Sequence, residues 1–374
     1  MRSLFVSFFL LLSLGSMAQQ QYLFIGTYTH TGSKGIYVYR FDAATGKAEW
    51  VSNTEGIVNP SYLALSADGN NVYAVNETGG ENGGKVSAFT FDKKKGTLQL
   101  LSQQPAGGDA PCYIAVTKNK DWVVVGNYTG GNFSALPISK DGSLQPPVQT
   151  VQHKGSSLNK DRQTAPHVHA TVFSPDEKYL YAPDLGIDKV MVYLFDAGKE
   201  KRPVKAHRQP FAEVTPGGGP RHFTFHPNKK WAYLIEELSG YVVAFKYNKG
   251  KLQQVQRMAA HHAGSTAKKG SADIHVSPDG NFLYASNRGE ENNIAIFKID
   301  AKTGALTAVG YQPVNGESPR NFVIDPSGNY LLVANQNTDN VVVFKRDRQT
   351  GLLQATGLEL KLPKPVCLKL MPVE

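Results

Sequence analysis

Apolar residues along this chain come in short runs, each closed by a turn signal, and one arrangement of runs keeps returning. A proline or small residue opens a short alternating stretch. Ser-Pro-Asp-Gly or a relative follows, and then a stretch rich in Tyr, Val and Ala ends in Asn, Asp or Glu. The pattern reads NPSYLALSADGNNVYAVNE at 59–77, APCYIAVTKNKDWVVVGNY at 110–128 and HATVFSPDEKYLYAPDL at 169–185. It returns as PRHFTFHPNKKWAYLIEE at 220–237, SADIHVSPDGNFLYASNR at 271–288 and PRNFVIDPSGNYLLVANQ at 319–336. Each copy is followed by a third stretch such as KVSAFTF (85–91), KVMVYLF (189–195) or NVVVFKR (340–346). A fourth comes after a glycine-containing turn, as in GTLQLLS (96–102). Period-two alternation between tight turns predicts antiparallel strands. The unit is therefore four strands in about fifty residues.

A four-stranded sheet that is polar on neither face must stack on neighbours. The repeat thus predicts an all-β fold, a seven-bladed β-propeller with four antiparallel strands per blade. Six hairpins are intact and the seventh blade is split. PVCLKLMP (365–372) supplies its first strand, YLFIGTYT (22–29) its second and GIYVYRF (35–41) its third. The N- and C-terminal strands then pair and close the ring, which removes exposed sheet edges. Residues 19–374 form one propeller with no linker.

Composition fits that reading and excludes others. Hydrophobic residues are 41% and charged residues 19%, enough apolar material for a core and too little charge for wholesale disorder. The 36 Gly, 21 Pro, 17 Tyr and 18 Phe favour strands and turns over a helical bundle. Two cysteines cannot build a disulfide framework. Cys367 lies one residue past the ring position of its blade, so it points away from Cys112 and the channel, and both are expected as free thiols. Residues 1–18 read as a signal peptide: Arg2 is the positive n-region, Leu4 to Leu14 the apolar stretch, and Ser16-Met17-Ala18 the cleavage site. The mature chain is expected to begin near Gln19 and to be exported, periplasmic or secreted. No second apolar run of spanning length follows, so no membrane association is expected after cleavage.

The repeat also locates candidate chemistry. Call the innermost strand of each blade A and the next B. The start of A lies beside the end of B, and their separation is sixteen residues in all six intact blades. The pairs are Ser61 with Glu77, Cys112 with Tyr128, His169 with Leu185, Arg221 with Glu237, Ala272 with Arg288, and Arg320 with Gln336. Constant spacing means constant register, which places these residues in a ring at one mouth of the channel. The ring is lopsided: His169, Arg221, Glu237, Arg288 and Arg320 fall on consecutive blades. A carboxylate among three guanidiniums and an imidazole suits acid–base work on an anionic substrate. A salt-bridge network that plugs the channel explains the same residues.

Loops on that face add positive charge. The connection before His169 reads HKGSSLNKDRQTAPHVH, and the one before Ala272 reads AAHHAGSTAKKG. They bring Lys154, Lys160, Arg162, Lys268 and Lys269 above the ring. EVTPGGGP, before Arg221, lets a ligand approach the backbone closely. His167 and His169 at i, i+2 form a possible metal pair, but no second pair is suitably placed, and no metal or other cofactor is expected. The net charge of +9 comes from residues scattered among turns, which does not suit nucleic acid. Neither a Ser-His-Asp arrangement nor G-x-S-x-G is present.

The opening YLFIGTYT, the APHVHATVFSPDEKYLYAPDLG segment, GGGPRHFTFHP, the Glu236-Glu237 pair, SNRG (286–289) and ESPRNFVIDPSG (317–328) resemble the seven-bladed β-propeller lactonase family, the 6-phosphogluconolactonase type. The resemblance covers 20–374 and extends to carboxymuconate-lactonising propellers, whose functional set is a His, two Arg and a Glu. Residue by residue, that set falls on His169 or His167, Arg221, Glu237 and Arg288. The resemblance implies a metal-independent lactone hydrolase of carbohydrate metabolism. Glu237 would act as general base or orient the water, Arg221 and Arg288 would stabilise the oxyanion, and His169 would protonate the leaving oxygen. Arg320 with the loop cations would hold a phosphate or carboxylate, and His167, Glu236, Asn287 and Gln336 would contact the rest of the substrate. The expected partner is a small anionic lactone, and the expected state is a monomer. An exported propeller that only binds carbohydrate or protein, and a muconate-type lactonising enzyme, remain alternatives from the sequence.

Overall fold

A computed structural model describes residues 20–373. The signal-peptide reading of 1–18 lies outside the described residues. The chain folds into seven four-stranded antiparallel sheets arranged as blades. Blade 1 begins with the short strand Leu63–Leu65, and blade 4 runs Pro220–Phe225, Trp231–Glu236, Tyr241–Asn248 and Lys251–Ala259. The seventh blade is assembled from both ends of the chain: Pro365–Pro372 pairs with Gln20–Thr27, followed by Ile36–Asp42 and Ala48–Thr54. The split blade and the closure are as the repeat predicts.

Strand B is buried along its whole length in nearly every blade, as in Asn71–Asn76, Trp122–Asn127, Trp231–Glu236 and Tyr330–Asn335. Both its faces are covered because each blade is sandwiched between two others, which is why these strands read as continuous apolar runs. The outermost strands alternate partly buried and exposed positions, as in Leu353–Lys361. The core is therefore a set of inter-blade clusters. One joins Phe24, Tyr73, Phe89 and Phe91 across blades 7 and 1, and another joins Trp231, Tyr233, Leu283 and Phe297 across blades 4 and 5. Cys112 and Cys367 are both free and buried, as expected. Cys367 faces an inter-blade cluster, where its sulfur accepts the Leu63 N–H at 3.3 Å.

One departure from the expected strands matters for the site. Strand A of blade 3 shrinks to Val172–Phe173, so His169 sits in irregular backbone just before it. Its strand-B neighbour there is Pro183, which accepts the His169 N–H at 3.0 Å but has no N–H to return. A proline opposite removes the reciprocal ladder bond.

Candidate active site

The sixteen-residue register is realised with an added device. Ladder pairs join Pro111 to Asn127, Pro220 to Glu236 and Pro319 to Asn335, and the register then shifts by one residue. The unpaired extra residues are Cys112, Arg221 and Arg320. A β-bulge leaves its extra residue outside the ladder and re-aims its side chain; here Cys112 and Arg320 line the mouth, while Arg221 is fully buried, outside the cavity lining, and aimed at Glu237. On the partner strand, the N–H of the residue after the ladder folds back onto the incoming loop. Glu77 donates to Asn59, Tyr128 to Ala110, Glu237 to Gly219 and Arg288 to Gly270, at 2.7–3.3 Å. This local geometry brings Glu77, Cys112, Tyr128, Glu237, Arg288 and Arg320 to the channel mouth.

The mouth holds a cavity of ≈ 640 Å³. Glu237, His169, Arg288 and Arg320 line it, with Cys112, Tyr128, Tyr28, Glu77, Arg162 and Lys269. At its floor, Glu237 Oε2 accepts from Arg221 Nε at 2.8 Å and lies 3.1 Å from Arg288 Nη2. Glu237 Oε1 accepts from Arg162 Nη2 at 2.8 Å. Burial alone would raise the Glu237 pKa, but Arg288, Arg221 and Arg162 reverse that and hold it at about 2. The carboxylate is therefore ionised and a very weak base.

Arg221 is fully buried. It donates Nη1 to Ala272 O at 2.7 Å and to His222 Nε2 at 3.2 Å, while His222 Nδ1 faces Asp273 at 2.7 Å. Since an arginine only donates, His222 Nε2 is the acceptor and Nδ1 carries the proton. Burial and Arg221 bring the His222 pKa down to about 4, consistent with that neutral tautomer. Arg221 Nη2 has no hydrogen-bond partner among the described residues. Arg288 uses Nε on Gly270 O at 2.8 Å, which leaves its Nη1 similarly available. The Arg320 side chain makes no hydrogen bond or ion pair among the described residues, and its guanidinium lies 5.4 Å from the Tyr28 ring centre.

His169 is buried, with its ring edge-on to Tyr128 and Nδ1 3.7 Å from Cys112 Sγ. Burial first, then Arg221, His222 and Arg320, push its pKa well below the usual imidazole value, so it stands neutral. Burial likewise raises the Cys112 thiol far above its ordinary range. The Cys112–His169 contact is thus between two neutral groups and not a thiolate–imidazolium pair.

Several expected contacts lie elsewhere. Glu236 is fully buried between strands, held by Arg257 Nη2 at 2.7 Å and by the Ser239 hydroxyl. Asn287 is also fully buried and donates to Ala260 O and Asn293 Oδ1. Each ends strand B one residue before the ring position, so alternation turns it between blades. Asn76, Asn127 and Asn335 occupy the same position and likewise bond a carbonyl of the incoming loop. That recurrence in blades 1, 2 and 6 was the available sign of a structural role. Gln336 is outside the cavity wall, and Asn337 lines it instead. His167 stacks on Tyr128 at 4.4 Å and supports that wall residue from behind. Ser61, Leu185 and Ala272 also stay out of the wall, as do Lys154, Lys160 and Lys268.

Tyr28 and Glu77 are wall residues with no role expected from the sequence, and Arg162 was expected only as one of the loop cations holding the substrate's anionic group. Tyr28 donates its hydroxyl to Glu77 Oε2 at 2.8 Å, and together they face Arg320. Arg162 reaches across the mouth to Glu237 and to the Tyr128 hydroxyl, at 3.0 Å. Its loop is fixed by Asp188, whose carboxylate accepts from Ser157, Gln163, Gly217 and Gly219 at 2.5–2.8 Å. One buried carboxylate so ties the loop bearing Arg162 to the glycine-rich loop before Arg221.

The sequence of residues 22–370 matches the profile of the family described as lactonase, 7-bladed beta-propeller. A 6-phosphogluconolactonase of Formosa agariphila is 40% identical, over 90% of this chain and 96% of the relative. A crystal structure of a putative 6-phosphogluconolactonase from Bacteroides fragilis superposes with a TM-score of 0.92 at 43% identity, covering 96% of this chain and 99% of the other. A periplasmic gluconolactonase of Pseudomonas aeruginosa gives 0.91 at 38% identity, covering 95% and 100%. With its repeat, its ring closure and these matches along nearly its whole length, the chain belongs to the seven-bladed β-propeller lactonase family.

Proposed function

We propose that this chain is a hydrolase of sugar lactones. The observation that carries the reading is the cavity floor. There an ionised Glu237 and a neutral His169 stand beside Arg288 and Arg320, which line the cavity with guanidinium nitrogens unpartnered among the described residues, and the buried Arg221 adds its charge next to Glu237.

Water adds to the lactone carbonyl carbon. Arg288 Nη1 stabilises the oxygen that gains negative charge, and the buried Arg221 adds positive charge beside Glu237. His169 takes the proton of the attacking water and passes it to the ring oxygen as the C–O bond breaks, giving the open hydroxy acid. Three arginines make Glu237 too weak a base for that proton transfer, so it orients the water and balances the guanidiniums. Arg320 holds an anionic group of the substrate, and the Glu77–Tyr28 pair accepts its hydroxyls. Arginines supply positive charge at the developing oxyanion, and turnover is expected to survive EDTA.

The test is hydrolysis of δ- and γ-lactones by the purified mature chain, followed with a pH indicator. Glu237→Gln should reduce kcat by about a hundredfold or more, the scale of a lost polar group at the reacting centre. Unchanged turnover in that variant would exclude Glu237 from the chemistry. Export is part of the same reading, supported by the pattern of residues 2–18 and by the likeness to a periplasmic gluconolactonase. N-terminal sequencing of the protein from whole cells should begin near Gln19.

A further inference from the structure

The two oxygens of Glu237 are held differently. Oε2 lies against Arg221 and Arg288, whose side chains are 2% and 17% exposed. Oε1 has one partner, Arg162, whose side chain is 42% exposed and comes from a loop on another blade. One buried and one partly buried arginine anchor one oxygen, while a more exposed arginine covers the other. The backbone behind Arg162 is well held: Asn159 Oδ1 accepts the N–H groups of Asp161 and Arg162, and Gln163 is clamped by Asp188 and Leu185 O. The guanidinium end alone is free to change partners, because its other contact is the Tyr128 hydroxyl at the rim.

We propose that Arg162 is a movable cover over Glu237 Oε1, and that the anionic group of an incoming lactone draws the guanidinium away and frees this oxygen to orient the attacking water. The inference rests on Glu237 being the water-orienting carboxylate. It adds a residue that couples recognition of substrate charge to exposure of the reacting site. A bidentate contact to phosphate or carboxylate outcompetes a half-exposed single contact to Glu237. A neutral lactone offers no such competitor, so the cover stays in place for a larger fraction of encounters.

The experiment compares phosphorylated and unphosphorylated gluconolactone in the full chain, its Arg162→Ala variant and its Arg162→Lys variant. In Arg162→Ala, kcat/KM for the phosphorylated lactone should fall about tenfold or more. For the neutral lactone, kcat should rise about threefold, because the covering contact is gone. Arg162→Lys should recover part of the phosphorylated-substrate rate and lose the gain on the neutral one. Movement of both substrates by the same factor, in either direction or not at all, overturns the proposal. Calorimetric binding of 6-phosphogluconate and gluconate supplies a readout independent of turnover. The ratio of their dissociation constants should shrink at least fivefold in Arg162→Ala, and an unchanged ratio overturns the proposal. A wild-type chain that hydrolyses no lactone, yet shows that loss of discrimination, retires the lactonase reading and keeps Arg162 as the anion-responsive residue.

Discussion

Arg320 is the ring cation with no hydrogen-bond partner among the described residues, and its environment explains why it stays charged. Burial would lower its pKa, but Tyr28, Glu77 and Glu237 more than offset that and raise it. A half-buried guanidinium without a fixed partner is matched to a ligand anion, and such a contact is worth roughly 1.5–3 kcal/mol. Arg320→Ala should therefore cut kcat/KM for a phosphorylated lactone about tenfold more than for its neutral analogue, and the wild-type preference should shrink with added salt. Equal losses on both substrates would place the anion elsewhere. His169 and His222 lead to a pH test. Both are neutral in the fold, with His222 near 4 and His169 well below its ordinary value, whereas the unfolded chain protonates them near 6.5. The unfolded state thus binds more protons than the native one below pH 6.5, and stability falls as pH drops toward 4. The melting temperature should decline across that window, and His169→Gln should reduce the slope. A His169 held neutral by burial and neighbouring cations also places the acid limb of kcat/KM well below the ordinary imidazole value of about 6.5; an acid limb at that value would mean that His169 does not carry the proton.

At the scale of elements, the bulges and loops build the site. The one-residue bulge after Pro111 and Pro319 turns Cys112 and Arg320 into the channel mouth, and the one after Pro220 sets the buried Arg221 against Glu237. Sequence spacing located these residues because the ring-forming offset of sixteen survives the bulge. It could not separate Glu237 from Glu236, since adjacent residues differ only in which side of the strand they face. Nor could spacing pair Arg162 with Glu237, which lie 75 positions apart and meet only because a loop crosses from another blade. Asp188 fixes that crossing by joining two loops. Asp188→Ala removes the acceptor of four hydrogen bonds. It should lower the melting temperature and increase proteolysis within 153–168. A variant whose loop resists protease like the wild type would show that Asp188 does not hold it.

For the whole molecule, closure is the critical feature. The strand Pro365–Pro372 pairs with Gln20–Thr27 along nearly its full length, and Cys367 and Met371 join the cluster shared with blade 1. A chain ending at Lys364 would expose a buried strand edge and the apolar faces of two blades. It should aggregate or fail to unfold cooperatively by circular dichroism. A truncated chain with wild-type melting would show that the ring does not depend on its closing strand.

The repeat, the blade count, the split seventh blade and the blades carrying the candidate charged residues are all legible in the order of residues along the chain. Each follows from local periodicity, which strand pairing preserves. Tertiary structure decided which charges face one another. Three arginines from blades 4 and 5 and the blade 3 loop converge on Glu237 and set it near 2. His169 is neutral because it is buried among cations, and Glu77 and Tyr28 join the wall from blades 1 and 7. Protonation, and with it the division of labour between Glu237 and His169, depends on distance and burial, which arise only when blades distant in sequence close into one ring.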